Sequence, residues 1–127
     1  KFYTKKTFKE IPVTTMPVFK IPFHQSYLLY ISGVSLTLMK IYLRFAIFMC
    51  KITKTQPSYL LHPLDLIGKD HVPELSFFPG MNIQSEKKLK VFENTINILK
   101  KHFQLVNMTQ LAASLSSDLK ILEPERD

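Results

Sequence analysis

The segment from Tyr27 to Cys50 is the most apolar part of the sequence, and it most restricts how the chain can fold. Gly33 and Ser35 predict that a helix begins near them. Because apolar residues occupy every other side, such a helix is buried on most sides or lies against a membrane. Its polar residues recur at helical spacing and form one narrow stripe: Gly33, Thr37, Lys40 and Arg44.

A membrane span is an open alternative for this segment. Residues Ile21–Met39 carry no formal charge, but Pro22 and His24 interrupt them, and Lys40 and Arg44 cut the apolar part that follows. A span needs ~20 predominantly apolar residues. A third alternative is a helix whose partner surface belongs to a missing part of the protein.

Composition excludes several classes of protein. The chain has 127 residues, of which 46% are hydrophobic and only three are glycine, so it is one small domain or part of a larger one rather than a disordered chain. One cysteine, Cys50, excludes an internal disulfide and predicts a core residue. The net charge of +7 could favour phosphates, anionic lipid or acidic glycans, although a solvated surface is the simpler interpretation. With two arginines and no interleaved exposed aromatics, no nucleic acid partner is expected.

The order of predicted elements is strand, helix, strand, helix, strand, helix. This alternation favours parallel strands joined by crossover helices, which is an α/β fold. Three strands are too few to close a barrel, so the chain is a small open α/β domain or the end of a barrel, and the apolar helix favours the second. The predicted strands are Glu10–Thr15, Ser58–Leu61 and Gln104–Val106, and the helices run from Gly33 to Cys50, Ser85 to Phe103 and Thr109 to Leu115.

The most distinctive short motif lies between Ser58 and Asp65. Its apolar run stops at His62, and Pro63, which cannot continue a central strand, follows directly. His62 is therefore expected at the carboxyl end of a strand, where α/β proteins place their active sites, the alternative being a turn histidine without a chemical role. His24 follows the first predicted strand in the loop Met16–Ser26 and is expected at the same edge. Asp65 and Asp70 could orient a histidine or act as turn or cap residues.

Other chemical motifs are missing from the sequence. The four histidines form no HxxxH, HxH or HExxH pattern, and no glycine-rich phosphate loop or GxSxG elbow occurs. A self-contained metal site is therefore not expected.

Four runs, taken in order, resemble the C-terminal part of a NodB-like polysaccharide deacetylase. They begin at Glu10 (EIPVTTMP), Pro22 (PFHQSYL), Leu60 (LLHPLD) and Phe77 (FFPGM), and the similarity extends from about Glu10 to Leu115. Leu60-Leu61-His62 stands where that family has a leucine, any residue and then histidine at the end of a late barrel strand.

The resemblance implies a fold, a reaction and a set of site residues. The fold would be the C-terminal part of a deformed (β/α) barrel, and the reaction would be removal of acetyl groups from N-acetylated amino sugars in a glycan or glycolipid. His62 would be the catalytic general acid that protonates the leaving amine, and Leu60 would wall the acetyl pocket. His24 and Asp65 are the other expected substrate-binding residues. The cofactor would be a divalent metal, usually zinc.

The family's aspartate base and metal ligands have no counterpart here, so the metal would be bound outside this chain. The chain is thus expected to be a fragment, inactive alone, whose partners are a carbohydrate substrate and the missing N-terminal half. Residues 1–9 would be a basic lead-in, 10–116 the C-terminal portion of the barrel and 117–127 a polar tail. No signal peptide is visible, which leaves a cytoplasmic or cell-envelope location open.

Two alternatives stay open beside the deacetylase fragment. The first is a non-catalytic carbohydrate- or lipid-binding module on the same scaffold, and the second is a membrane-attached structural protein. Both are motivated by the apolar segment Tyr27–Cys50, which also makes a peripheral membrane contact a candidate interaction.

Overall fold

The computed structural model describes Ile11 and residues 13–114, and these residues form a helical structure. Three helices, α1, α2 and α3, pack on one another, while α4 follows at the end of the described chain. Two short 3-10 turns lie in the long connection between α2 and α3. The helices are α1 Gln25–Val34, α2 Leu36–Ile52, α3 Ser85–Lys100 and α4 Met108–Ser114, and the turns are Pro63–Asp65 and Pro73–Leu75.

Ser35 separates α1 from α2. Its backbone is extended, with φ −160° and ψ 129°, and its side-chain oxygen accepts a hydrogen bond from the Leu38 backbone N–H at 3.3 Å. This cap satisfies one of the free N–H groups in the first turn of α2. The predicted helix start near Gly33 and Ser35 is therefore confirmed for α2, whereas α1 was not predicted as a separate helix.

The core lies where one face of α2 meets α1 and α3. Leu28 and Leu29 contribute from α1, and Val91 and Leu99 from α3. Cys50 is fully buried here, as the sequence predicts, and desolvation raises the pKa of its thiol. The buried residues of α2 are Met39, Leu43, Ala46, Ile47 and Cys50.

The predicted α/β barrel is wrong, because the described residues form no sheet. Their only β pairing is an isolated antiparallel bridge between Thr15 and Pro22. The segment Ser58–Leu61 forms no strand and meets single backbone groups: its Ser58 carbonyl accepts from the Thr14 backbone N–H at 3.3 Å, and its Leu60 carbonyl accepts from the Gln25 backbone N–H at 3.2 Å. Prolines lie in or beside the predicted strands Glu10–Thr15 and Ser58–Leu61. Because proline has no backbone N–H, it removes donors that a continuous β-ladder needs. Gln104–Val106 also forms no strand.

Helix α3 forms where predicted. Apolar residues recur along it at three- and four-residue steps from Leu89 to Phe103, which predicts one buried stripe, but this stripe does not form the centre of the buried face. Leu89 is exposed, and Phe92 and Ile96 are half-buried. The face turned to the protein instead includes Lys88 and Thr95, both fully buried. Lys88 can be buried because backbone carbonyl groups of the preceding connection accept its hydrogen bonds.

The adjacent residues Phe77 and Phe78, followed by Pro79, predict a loop that is pinned to the body by aromatic burial. Their rings stack on each other with centroids 4.4 Å apart, but both side chains are exposed, so this prediction is wrong. Asn107 rather than Thr109 caps α4, since its side-chain oxygen accepts from the Gln110 backbone N–H at 2.8 Å. The predicted lead-in 1–9 and tail 117–127 lie outside the described residues.

Within the described chain, no helix is long and apolar enough to cross a bilayer.

Candidate functional site around His62

A short turn positions His62 and Asp65. Pro63 opens a 3-10 turn that ends at Asp65, and the Asp65 backbone N–H donates to the His62 carbonyl at 2.9 Å. The Asp65 carboxylate in turn accepts the His62 backbone N–H at 2.8 Å through Oδ2. Pro63, which directly follows the segment Ser58–His62, thus begins a turn that fixes the positions of His62 and Asp65.

Ser26 connects this turn to the first turn of α1. Its hydroxyl donates to Asp65 Oδ1 at 2.7 Å, and its Oγ lies 3.3 Å from His62 Nδ1. His62 Nδ1 is also 3.4 Å from Asp65 Oδ2. The Gln25 backbone N–H donates to the Leu60 carbonyl, and this hydrogen bond holds the start of α1 beside the segment Ser58–Leu61. Ser26, His62 and Asp65 therefore form one connected group.

Exposure differs sharply between the two ionisable members of this group. The Asp65 side chain is 6% exposed and the His62 side chain 53% exposed. The carboxylate is thus shielded from solvent, and the imidazole can meet a ligand. Since Nδ1 faces Ser26 and Asp65, Nε2 is the ring nitrogen available for proton exchange with a bound molecule.

His24 lies next to the group without a hydrogen bond to it. The His24 and His62 ring centroids are 6.5 Å apart, and the rings are nearly perpendicular at 88°. The Nδ1 atom of His24 is buried and has no hydrogen-bond partner among the described residues. His24 therefore leaves a buried ring nitrogen unpaired next to His62.

A hydrogen bond between Tyr59 and Gln25, the first residue of α1, supports this site. The Tyr59 hydroxyl donates to Gln25 Oε1 at 2.7 Å, and Gln25 is fully buried. Desolvation is the main reason that the pKa of Tyr59 is raised, so the phenol stays protonated as a hydrogen-bond donor. This hydrogen bond fixes the segment that leads into Leu60 and His62.

Lys88 supports the turn from α3. Its side-chain nitrogen Nζ donates to the carbonyls of Leu64 and Ile67, both at 2.7 Å. Lys88 is 1% exposed, and desolvation lowers its pKa, although the charges of Asp65 and Asp70 act in the opposite direction. The backbone on both sides of Asp65 is thus tied to α3.

A second group of serine, histidine and aspartate occurs at the start of α3, and it is structural. The Asp70 carboxylate accepts both the backbone N–H and the hydroxyl of Ser85 at 3.0 Å. Ser85 Oγ also accepts from the Gly68 backbone N–H at 2.7 Å and lies 2.8 Å from His71 Nδ1. Since Ser85 is buried and its hydroxyl is engaged on several sides, it is not a free nucleophile. Asp70 caps α3, which is the cap role that the sequence left open.

The structure brings together three of the four residues predicted for the site. The His24 and His62 ring centroids lie 6.5 Å apart, and Asp65 Oδ2 lies 3.4 Å from His62 Nδ1. Leu60 contributes the backbone carbonyl that binds the start of α1, and its side chain is half-buried. Sequence reasoning missed Ser26 as a site residue. The available signal was its position two residues after His24, at the start of a helix that was not predicted.

The described residues do not provide a metal site of their own. No group of three or more His, Cys, Asp or Glu side chains among them is arranged to hold a metal ion. His24 and His62 form only a pair, and the Asp65 carboxylate is engaged with Ser26 and the His62 backbone.

Comparison with known proteins gives no relative: no family model, curated protein or solved structure matches the chain.

Proposed function

We propose that the chain supplies the proton-donating histidine of a carbohydrate deacetylase, an enzyme that hydrolyses the N-acetyl amide of amino sugars in a glycan or glycolipid. The observation that supports this function is the pairing of a half-exposed imidazole with a shielded carboxylate and a serine hydroxyl, in His62, Asp65 and Ser26. The proposal rests on this group and on the sequence resemblance, and it does not require a barrel.

The chemistry requires a proton donor at the leaving nitrogen. In amide hydrolysis, the oxygen of water bonds to the carbonyl carbon, the carbon–nitrogen bond breaks, and nitrogen leaves as an amine after it receives a proton. A protonated His62 would donate this proton from Nε2, acting as a histidine general acid. Asp65 and Ser26 hold the Nδ1 side of the ring and keep Nε2 directed to the ligand.

Leu60 and His24 complete the part of the site that this chain would provide. Leu60 precedes His62 by two residues and would line the pocket for the acetyl group. The His24 ring, whose centroid lies 6.5 Å from that of the His62 ring, would contact the sugar. A divalent metal, usually zinc, and the catalytic base would come from residues outside this chain. The isolated chain is therefore expected to release no acetate.

Ligand binding tests the site directly. In an NMR titration of the full chain with N-acetylglucosamine oligomers, we expect the ring signals of His62 and His24 to shift. The ring signal of His102, which lies at the end of α3 and contacts Lys51 at 3.1 Å, serves as the internal control. His62→Ala should remove the shift at His24, while His102→Ala should not. If His62 does not respond to the sugar, the proposed site is wrong.

Turnover provides the second test. The isolated chain with N-acetylglucosamine oligomers and added zinc should give no acetate, and turnover would show that the chain needs no further residues. In a longer protein that contains this chain and deacetylates sugars, His62→Ala should lower the rate by ~100-fold or more with unchanged metal content. Loss of metal in that variant would make His62 a ligand and not the proton donor.

A non-catalytic carbohydrate- or lipid-binding module is the second candidate function. The exposed apolar residues on the outer side of α2 favour it, because such a surface is typical of interaction sites. This candidate predicts sugar or lipid binding without acetate release by any longer form of the protein, whereas the deacetylase predicts release that depends on His62.

A further inference from the structure

The outer face of α2 carries a continuous row of exposed apolar side chains. We call this row the α2 outer stripe. Its members recur at three- and four-residue steps, so they lie on one side of the helix, opposite the face that packs into the core. They are between 44% and 60% exposed, which is unusual for five large apolar residues in one row. The stripe consists of Leu38, Ile41, Phe45, Phe48 and Ile52.

A neighbouring segment widens this surface near Phe45. The Phe19 ring lies 6.2 Å from the Phe45 ring and is itself exposed, as is Val18 beside it. Val18 and Lys20 both have positive φ angles, 70° and 55°, so the backbone turns tightly where it presents Phe19. The apolar surface is therefore broader than one helix row.

The charges around the stripe have a single sign. Lys40, Arg44 and Lys51 follow one edge of it on α2, and Lys20 and Lys54 lie in the adjoining segments. No Asp or Glu occurs in residues 11–64 of the sequence. Among the described residues, the only ion pairs involve histidine, so no carboxylate neutralises these cations. By contrast, α3 mixes Glu86 and Glu93 with its lysines.

We propose that the α2 outer stripe binds the surface of a bilayer rich in anionic lipid, with α2 lying in the plane of the interface. Phenylalanine, isoleucine and leucine side chains would enter the boundary between headgroups and acyl chains, and the flanking cations would contact lipid phosphates. The long lysine and arginine side chains can reach the headgroups while their aliphatic parts stay on the apolar surface.

The charge pattern favours lipid over a second copy of the chain. Pairing two outer stripes would bring Lys40 and Arg44 of each copy near the cations of the other, with no acidic residue on α1 or α2 to offset the repulsion. An anionic bilayer supplies both the apolar medium and the opposite charge. This inference does not depend on the proposed function, since neither His62 nor Asp65 takes part in it.

Vesicle co-sedimentation of the full chain tests the inference. The chain should bind vesicles of phosphatidylcholine mixed with phosphatidylglycerol and should not bind vesicles of phosphatidylcholine alone. The double variant Ile41→Ser/Phe48→Ser should bind the anionic vesicles at least ~10-fold more weakly. Phe77→Ser, which removes a ring that is more exposed than Phe48 (73% against 56%) from a loop outside the stripe, should bind like the unmodified chain.

Charge reversal separates the electrostatic part of binding. Lys40→Glu/Arg44→Glu should weaken binding by ~10-fold or more, whereas the same change in charge on α3, in Lys100→Glu/Lys101→Glu, should have a smaller effect. The sequence contains no tryptophan, so Phe48→Trp introduces a single fluorescent probe. Its emission should shift to the blue with anionic vesicles, and that of Phe77→Trp should not.

Three results would overturn the inference. The first is absence of binding to anionic vesicles by the unmodified chain, and the second is equal binding by Ile41→Ser/Phe48→Ser. The third is a concentration-dependent dimer, detected by analytical ultracentrifugation, that is lost in this double variant, because the stripe would then be covered by a second copy. Both substituted residues are exposed, so circular dichroism should show unchanged helix content.

Discussion

At the residue scale, Gly68 shows how tightly the connection before α3 is packed. A Cβ atom at this position would collide with the Ile83 carbonyl and the Asp70 carboxylate, and it would lie 3.1 Å from the Ser85 backbone nitrogen. Backbone atoms cannot move aside as a flexible side chain can. The requirement for glycine here is therefore one of space at the cap of α3.

We expect Gly68→Ala to lower the free energy of unfolding by ~2 kcal/mol or more, because the cap contacts must separate to admit the methyl group. Gly33 provides the matched control: it lies in α1, and a Cβ there meets nothing within 4 Å. Gly33→Ala should be neutral or stabilising by up to ~1 kcal/mol. Urea denaturation of both variants measures the difference, and equal stabilities would contradict the packing at Gly68.

At the element scale, one buried lysine joins the turn of the candidate site to α3. Replacing Lys88 with methionine keeps the aliphatic chain but leaves the Leu64 and Ile67 carbonyls without their donor. We expect Lys88→Met to lower the free energy of unfolding by ~2–4 kcal/mol, since two buried acceptors lose a charged partner. Lys87→Met, at the exposed neighbouring position, should change stability by less than ~0.5 kcal/mol. Full stability of Lys88→Met would show that the amine does not hold the turn.

The cap of α3 makes stability depend on acid pH. Desolvation acts to raise the pKa of Asp70, but hydrogen bonds from the Ser85 backbone and side chain, together with the charge of His71, outweigh it and hold the pKa below 3.8. A carboxyl whose pKa is lower in the folded state stabilises the fold above its unfolded pKa, and this stabilisation is lost as pH falls through the folded value. The unmodified chain should therefore lose more stability below about pH 4 than Asp70→Asn does. Thermal melts from pH 5 to pH 2 would measure this, and parallel curves would contradict the assigned role.

The elements also show what the sequence could and could not predict. Helices α2 and α3 were predictable, because Ser35 provides a cap and the residues from Ser85 to Lys100 have helical periodicity. The predicted strands were wrong. The β-branched run around Pro12 and Pro17 and the apolar run before Pro63 favour an extended backbone, but neither can show whether a neighbouring strand exists. The grouping of His24 with His62 was predicted from strands that do not form, yet their ring centroids lie 6.5 Å apart because the start of α1 is hydrogen-bonded to the Leu60 carbonyl. Ser26 and Lys88 required tertiary contacts that no local pattern contains.

At the scale of the whole molecule, Cys50 offers a probe of how the helices hold together. It is the only cysteine in the sequence, it is fully buried between the packed helices, and desolvation raises its thiol pKa. A thiol reagent can therefore reach a reactive thiolate there only after the core opens. Leu43 lies on the same buried face of α2, whereas Leu38 lies on the exposed side of the same helix. We expect Leu43→Ala to destabilise the molecule by ~2–5 kcal/mol and to raise the rate of Cys50 modification by ~30-fold or more, because the open state becomes more populated. Leu38→Ala should leave that rate nearly unchanged. If both variants react at the rate of the unmodified chain, the opening that exposes Cys50 does not break the core contacts of Leu43.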